Sequence, residues 1–192
     1  MFTVPTQDQA SGLKLNIGSG GKPSEGWVNI DSEPMVGADL CFDIGLDTWP
    51  FPDNSVSLAK ALHVLEHVPR PGPFFHAMKE LYRVCQPGAR VKVAIPHVWH
   101  QIWANDPTHV NPCTPNTFTL FSKSHCEKQA ALGPRFQLTP FYKYLGIDFE
   151  VSDLTAYLDP NTTKEDDPEL EWKVMHLNNI VAHYEFILTA VK

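Results

Sequence analysis

The first residues that could do chemistry form a glycine-rich turn followed by two carboxylates. The turn Gly18-Ser19-Gly20-Gly21 comes directly after a short apolar run. Glycine permits φ > 0 and lets a ligand approach the backbone closely. Asp31 ends the next apolar run, where a carboxylate can accept hydrogen bonds from both hydroxyls of a ribose, and Asp43 ends a third run, where it can accept from an adenine amino group. Taken singly these features are typical of turns and caps, but their order indicates a nucleotide-type ligand.

A second group of chemically competent residues lies in the segment HVWHQIWANDPTHV. His97 follows a predicted strand directly, and Asp106 and His109 are spaced to form a carboxylate–imidazole pair. Histidine titrates near neutral pH and can act as a general base toward an acceptor hydroxyl. The alternative is that Asp106 caps a turn and His109 orders this loop, because such side chains often bond to local backbone. We therefore predict His97, His109 and Asp106 as catalytic candidates and keep the structural alternative open.

A zinc site is the rival interpretation of the same segment. His97 and His100 have the spacing H-x-x-H, and His109 and Cys113 lie downstream. Nitrogen and sulfur ligands would suit zinc. However, the spacing is irregular, and prolines on both sides of His109 favour a rigid loop. Because ligand count without geometry is weak evidence, we predict no metal.

The motif HVLEH adds one more polar group. His63 and His67 flank Glu66 and would share a face if a helical turn begins there. A direct chemical role and a plain polar turn beside the ligand are both open at this point.

The elements that must position these residues alternate between strands and helices. Apolar patterning predicts a helix over 74–85, with its apolar residues on one face. It predicts strands over 13–18, 27–31, 39–44, 57–62, 89–96, 147–157 and 179–192. This order and the glycine-rich first turn predict an α/β fold with a doubly wound, mostly parallel sheet and an irregular insert after the fifth strand. The linker after the first strand is too short for an ordinary crossover, so its helix is expected to be a turn or absent.

The composition and charge of the chain limit the classes of protein to which it can belong. The chain has 192 residues, of which 43% are hydrophobic and 19% charged, and this favours one domain spanning 1–192 with a loose tail over 1–12. The net charge of -7 without a basic block argues against nucleic acid as a partner, and no apolar run is long enough to predict a membrane span. The four cysteines form no C-x-x-C pair, and the N-terminus does not have the pattern of an export signal, so we expect a cytoplasmic protein.

Four motifs carry a family resemblance. The stretches NIGSGG, VNID, LHVLEHV and ELYRVCQPGARVKVAIP resemble successive motifs of the class I S-adenosylmethionine-dependent methyltransferases. The similarity covers residues 13–96. It implies the Rossmann-like methyltransferase fold, S-adenosylmethionine as cofactor, and methyl transfer to a small polar acceptor that the sequence does not identify. The insert over 97–146 is then expected to cover the acceptor site.

The resemblance also implies a set of cofactor-binding residues near the strand ends. They are Asn16, Gly18, Ser19, Gly20, Asp31, Asp43, Ile44, Leu62 and His63. Asn16 stands where the family usually has an acidic residue, so one charge near the methionine ammonium is missing. An NAD-type site is disfavoured, because Pro23 occupies the third glycine position of G-x-G-x-x-G. The alternative function is a non-catalytic module that keeps the cofactor pocket and uses the insert to bind a protein partner.

Overall fold

The computed structural model describes residues 12–34, 37–136, 138–164 and 166–192. The predicted tail, apart from Gly12, lies outside the described residues. Within these ranges there are seven strands: β1 (Leu13–Ile17), β2 (Val28–Asp31), β3 (Leu40–Cys41), β4 (Val56–Leu62), β5 (Cys85–Pro96), β6 (Phe149–Leu158) and β7 (Val181–Ala190). The helices are α1 (Gly72–Val84), α2 (Gln101–Asn105), α3 (Pro115–Thr119), α4 (Lys123–Ala131), α5 (Phe141–Leu145) and α6 (Leu170–His176). Two 3-10 turns span Leu65–His67 and Pro134–Phe136.

All seven strands form one sheet in the order β3-β2-β1-β4-β5-β7-β6. Strands β1 to β5 pair in parallel, whereas β7 is antiparallel to both β5 and β6. The predicted α/β fold with a mostly parallel, doubly wound sheet is confirmed. The strand order reverses between β1 and β4, and this switch point is where such sheets bind ligands.

The connection from β1 to β2 is a turn, as the short linker predicted. Residues 18–27 are all described and contain no helix. A polar network holds the turn instead: Asn29 Oδ1 accepts from Asn16 Nδ2 at 2.9 Å and from the Ser24 amide at 2.7 Å. Strand β3 has two residues rather than the predicted six, because the chain turns at Asp43, where the Asp43 carboxylate accepts from the Gly45 amide at 2.8 Å. The sheet edge near the glycine turn is therefore short and open.

The insert packs against the same core as α1. Phe74 at the start of α1 is buried and lies 6.0 Å, between ring centroids, from both Phe118 and Phe121 of the insert. The first part of the insert is fixed by a buried bond between His100 Nε2 and Asp159 Oδ2 at 2.8 Å. None of the helices among the described residues has the length and apolar character needed to span a membrane.

The insert also docks on the 3-10 turn after β4. The Glu66 carbonyl accepts from the amides of Val110 and Asn111 at 3.0 and 2.9 Å. The buried Asn111 side chain donates to the Leu65 carbonyl at 2.9 Å. These bonds hold the loop that carries His109 against the end of β4, so residues from the two halves of the chain meet at one place.

Candidate cofactor and acceptor site

A cavity of about 400 Å³ opens at the carboxyl ends of the central strands. This volume is in the range of small-molecule sites. Six residues predicted to bind the cofactor line it: Gly18, Gly20, Asp31, Asp43, Ile44 and His63. Phe42, Leu46, Val64 and Val68 supply apolar wall, and His67 also lines the cavity. Most of the predicted cofactor set is therefore brought together at the switch point.

The two glycines that line the cavity occupy their positions for different structural reasons. Gly18 has φ of 64°, and a Cβ there would lie 2.5 Å from Val64 Cγ2, so only glycine fits. Gly20 has φ of 51°, but a Cβ there would meet no atom of the described residues within 4 Å. Gly18 thus allows close packing of the turn against the segment after β4. Gly20 leaves open space beside the backbone that a ligand can use.

Asp31 connects the second strand to the glycine turn. Its Oδ2 accepts from the Gly20 amide at 2.7 Å and its Oδ1 from the Glu33 amide at 3.1 Å. The Ser19 amide in turn donates to the Ile30 carbonyl at 2.8 Å. A carboxylate held by two backbone donors at a cavity wall is oriented before any ligand arrives.

Three predicted cofactor residues do not line the cavity in the described part of the structure. Asn16 belongs to the buried Asn29 network and bridges β1 and β2. Ser19 is buried, and its Oγ has no hydrogen-bond partner among the described residues. Leu62 is half-buried at the end of β4. Asn16 therefore has a structural role in joining two strands. Ser19 has a buried hydroxyl beside the glycines that makes no hydrogen bond to the described residues.

Glu66 is a polar group that sequence reasoning did not include among the site residues. It is 0% exposed, and neither carboxylate oxygen has a hydrogen-bond partner among the described residues. The His63 Nδ1 atom lies 3.4 Å and the His109 Nε2 atom 4.0 Å from Glu66 Oε1. Within the described ranges, the group with metal-ligand geometry comprises Glu66, His67 and His109, whose ligand atoms lie within 4.8 Å of one another. Both the HVLEH motif and His109 were noted in the sequence, but their proximity was not predicted.

His109 has a defined orientation in this cluster. Its Nδ1 lies 3.0 Å from the Trp103 carbonyl oxygen, which can only accept, so Nδ1 carries the hydrogen. The ring stacks on Trp103 and contacts the His67 ring at 4.8 Å between centroids. In the neutral form, Nε2 therefore keeps its lone pair.

Asp106 is mainly a turn residue. Its Oδ1 accepts from the Thr108 amide at 2.8 Å and the Thr108 hydroxyl at 2.6 Å, and these bonds lower its pKa. Its other oxygen lies 3.8 Å from His109 Nε2, beyond hydrogen-bond distance. The geometry favours the structural alternative for Asp106, namely capping the turn that presents His109.

His97 lies apart from the cavity lining, on the far side of the β5 end. Its amide donates to the Ala182 carbonyl at 2.9 Å, and its ring packs 5.4 Å from Tyr184. Burial, with a smaller contribution from His100, lowers the pKa of His97 and so favours the neutral ring. Neither His97, His100 nor Cys113 joins the metal-competent group within the described ranges, so the zinc arrangement considered for the sequence is not formed.

The strand order, the switch-point cavity and the held carboxylate define a Rossmann-like domain for a nucleotide-type ligand. Residues 24–93 match the family model described as a methyltransferase domain. This segment runs from the turn before β2 through most of β5. The matched segment is a little over a third of the chain, and the chain has the Rossmann-like fold of the class I S-adenosylmethionine-dependent methyltransferases that its motifs predicted.

Solved structures show the same fold at low sequence identity. A methyltransferase dependent on S-adenosylmethionine from Archaeoglobus fulgidus is 17% identical with a TM-score of 0.62, over 94% of this chain and 87% of that one. One from Methanosarcina mazei is 15% identical with a TM-score of 0.53, over 93% and 92%. The phosphoethanolamine N-methyltransferase 2 of Haemonchus contortus, solved with S-adenosyl-L-methionine, is 12% identical with a TM-score of 0.54, over 95% and 49%. A search of curated proteins found no match.

Proposed function

We propose that the cavity binds S-adenosylmethionine and that the protein transfers its methyl group to a small polar acceptor. The observation that carries the proposal is the Asp31 carboxylate, which is held by the Gly20 amide at the wall of a switch-point cavity. The residues fit the cofactor: Gly20 leaves open backbone, and the buried Ser19 Oγ is unpartnered among the described residues.

Each part of the cofactor has residues suited to it. Asp31 would accept from the ribose hydroxyls, and Asp43 with the Ile44 backbone would recognise the adenine. Gly18 and Gly20 would lie against the methionine portion. The bound cofactor supplies an electrophilic methyl group, while the protein has to align an acceptor with it and exclude competing water.

The acceptor is expected at the histidine-bearing end of the cavity. His63 and His67 line the cavity there, and the ring of His109 contacts His67. The His109 Nε2 atom lies 4.0 Å from Oε1 of the buried Glu66. We therefore favour His109 over His97 as the predicted catalytic residue, with Asp106 ordering its loop.

Two variants test this assignment. S-adenosylhomocysteine formation would be followed over a panel of small polar acceptors with wild-type protein, His109→Ala and His97→Ala. We expect loss of turnover in His109→Ala with cofactor affinity retained, because general acid–base or acceptor-orienting groups contribute about 100-fold or more. His125→Ala, in α4 and away from the cavity, is the matched control. Equal turnover in His109→Ala and the control would contradict the assignment.

The proposal includes a cytoplasmic location, and its rival is a non-catalytic module that binds a protein partner. The four cysteines are free thiols, three of them buried, which suits a reducing cytoplasm. Cofactor binding without turnover on any acceptor, combined with a stable complex with a protein partner, would instead favour the non-catalytic module.

A further inference from the structure

We infer that Glu66, His67 and His109 bind a divalent transition-metal cation of the zinc type at the acceptor end of the cavity. The site joins the 3-10 turn after β4 to the insert. With metal bound, His109 Nε2 gives its lone pair to the metal, so His109 then acts on the acceptor through the metal and not as a general base. Metal binding itself can be measured without any methyl transfer. Only its role toward the acceptor rests on methyl transfer.

The first argument is the state of Glu66. Its side chain is 1% exposed, and both of its oxygens are without a hydrogen-bond partner among the described residues. A buried carboxylate without donors is costly unless a cation compensates it. The nearest cation-capable side chains are histidines, His63 at 3.4 Å and His109 at 4.0 Å from Oε1. A divalent cation would supply the missing compensation directly.

The second argument is the hydrogen bonding of the two other ligands. The Thr108 hydroxyl donates its one hydrogen to Asp106, so it must accept from His67 Nδ1 at 2.9 Å. His109 Nδ1 donates to the Trp103 carbonyl at 3.0 Å. Both rings therefore carry hydrogen on Nδ1 and, when neutral, keep the lone pair on Nε2. This is the outer-shell arrangement that fixes the tautomer of metal-bound histidines.

The third argument is distance. One ligand atom from each of the three residues lies within 4.8 Å of the others, and the measured Nε2–Oε1 separation for His109 and Glu66 is 4.0 Å. Zinc–nitrogen and zinc–oxygen bonds of about 2.0–2.2 Å at tetrahedral angles place ligand atoms about 3.4 Å apart. Binding thus requires the His109–Glu66 pair to close by about 0.6 Å and no pair to close by more than about 1.4 Å.

The ligand types identify the class of metal. Two imidazoles and one carboxylate suit zinc and related transition metals, whereas magnesium and calcium prefer oxygen ligands. Three protein ligands leave a coordination position open, as in catalytic rather than structural zinc sites. Because His67 also lines the cavity, that position adjoins the expected acceptor. A metal there would hold an acceptor oxygen and lower the pKa of its hydroxyl.

Calorimetric titration of the metal-depleted full-length protein with zinc chloride tests the site. We expect one zinc per chain, with affinity reduced at least about tenfold in Glu66→Gln and in His109→Ala. His125→Ala is the control and should bind zinc as wild type does. Magnesium chloride should show no comparable binding. Cobalt chloride should give visible absorption of a low-coordinate site in wild type and in the control, and lose it in Glu66→Gln.

The outcomes separate the metal site from the cofactor site. Zinc binding with wild-type affinity in both variants would overturn the inference, as would the lack of one-to-one binding by a folded wild-type protein. Circular dichroism spectra matching wild type establish that each variant is folded. Titration of the same samples with S-adenosylmethionine reports on the proposed function separately, because none of the three ligands is needed for the Asp31 and Gly20 contact.

Discussion

Replacing Gly18 by alanine tests how the glycine turn packs against the segment after β4. Gly18 has φ of 64°, and the new Cβ would lie 2.5 Å from Cγ2 and 2.6 Å from Cβ of Val64. The left-handed backbone costs a non-glycine residue about 1–2 kcal/mol. Overpacking adds about 1–3 kcal/mol. We therefore expect Gly18→Ala to lower the free energy of unfolding by roughly 2–5 kcal/mol.

Gly20→Ala is the matched control for backbone strain. Gly20 also has positive φ, at 51°, but no atom of the described residues lies within 4 Å of a Cβ there. It should therefore lose only about 1–2 kcal/mol of stability. Its Cβ would enter the open space beside the cavity, so cofactor affinity should fall although the fold is kept.

Denaturant unfolding of the two variants measures the difference. Adding Val64→Gly, which removes both Cγ2 and Cβ, to Gly18→Ala should recover part of the loss, giving a favourable coupling of about 1–2 kcal/mol in a double-mutant cycle. Equal destabilisation by the two glycine substitutions, or no coupling to Val64, would refute the packing argument.

Three further predictions concern single side chains. Asp31→Asn should weaken S-adenosylmethionine binding about 10- to 100-fold in calorimetry, because a charge-assisted acceptor at the turn is lost. Arg83→Leu should lower stability by about 1–3 kcal/mol at pH 7. The Arg83 hydrogen bond is the main cause of the lowered pKa of Glu80, so this stabilisation is present above pH 4.5 and lost as the pH falls below it. The stability difference between wild type and variant should narrow in acid, where only the part from the Arg83 bonds to the Phe51 and Trp49 carbonyls remains. His100→Ala should cost about 2–4 kcal/mol in thermal unfolding, because Oδ2 of buried Asp159 loses its His100 partner while Oδ1 keeps the Asn161 amide, yet leave zinc affinity unchanged.

Local patterning was enough to predict most of the fold. α1 and most of the strands carry apolar periodicity, β4 was only weakly signalled, and the glycine turn marks the end of β1. The predicted irregular segment over 97–146 contains α2 to α5, of which three have five residues each. Such short helices are stabilised by tertiary packing, for example of Phe118 and Phe121 on α1, and leave little periodic signal.

The candidate site was predictable where it follows the strand ends. Asp31 ends a strand and Gly18, Gly20 and Asp43 lie within three residues after one, and parallel strands bring those positions together. The environment of Glu66 was not predictable, because it depends on His109 reaching back from the insert. The position of His109 is fixed by hydrogen bonds from the amides of Val110 and Asn111 to the Glu66 carbonyl. No local sequence pattern predicts these long-range bonds.

Calorimetric titration with S-adenosylmethionine tests the central claim most directly. The cavity bounded by Gly18, Asp31 and Asp43 should bind it and S-adenosylhomocysteine with micromolar affinity, and should not bind NAD. Asp31→Ala should weaken both, whereas Asp53→Ala, a surface aspartate paired with Arg83, should not. Failure of a folded wild-type protein to bind either sulfur compound would contradict the account.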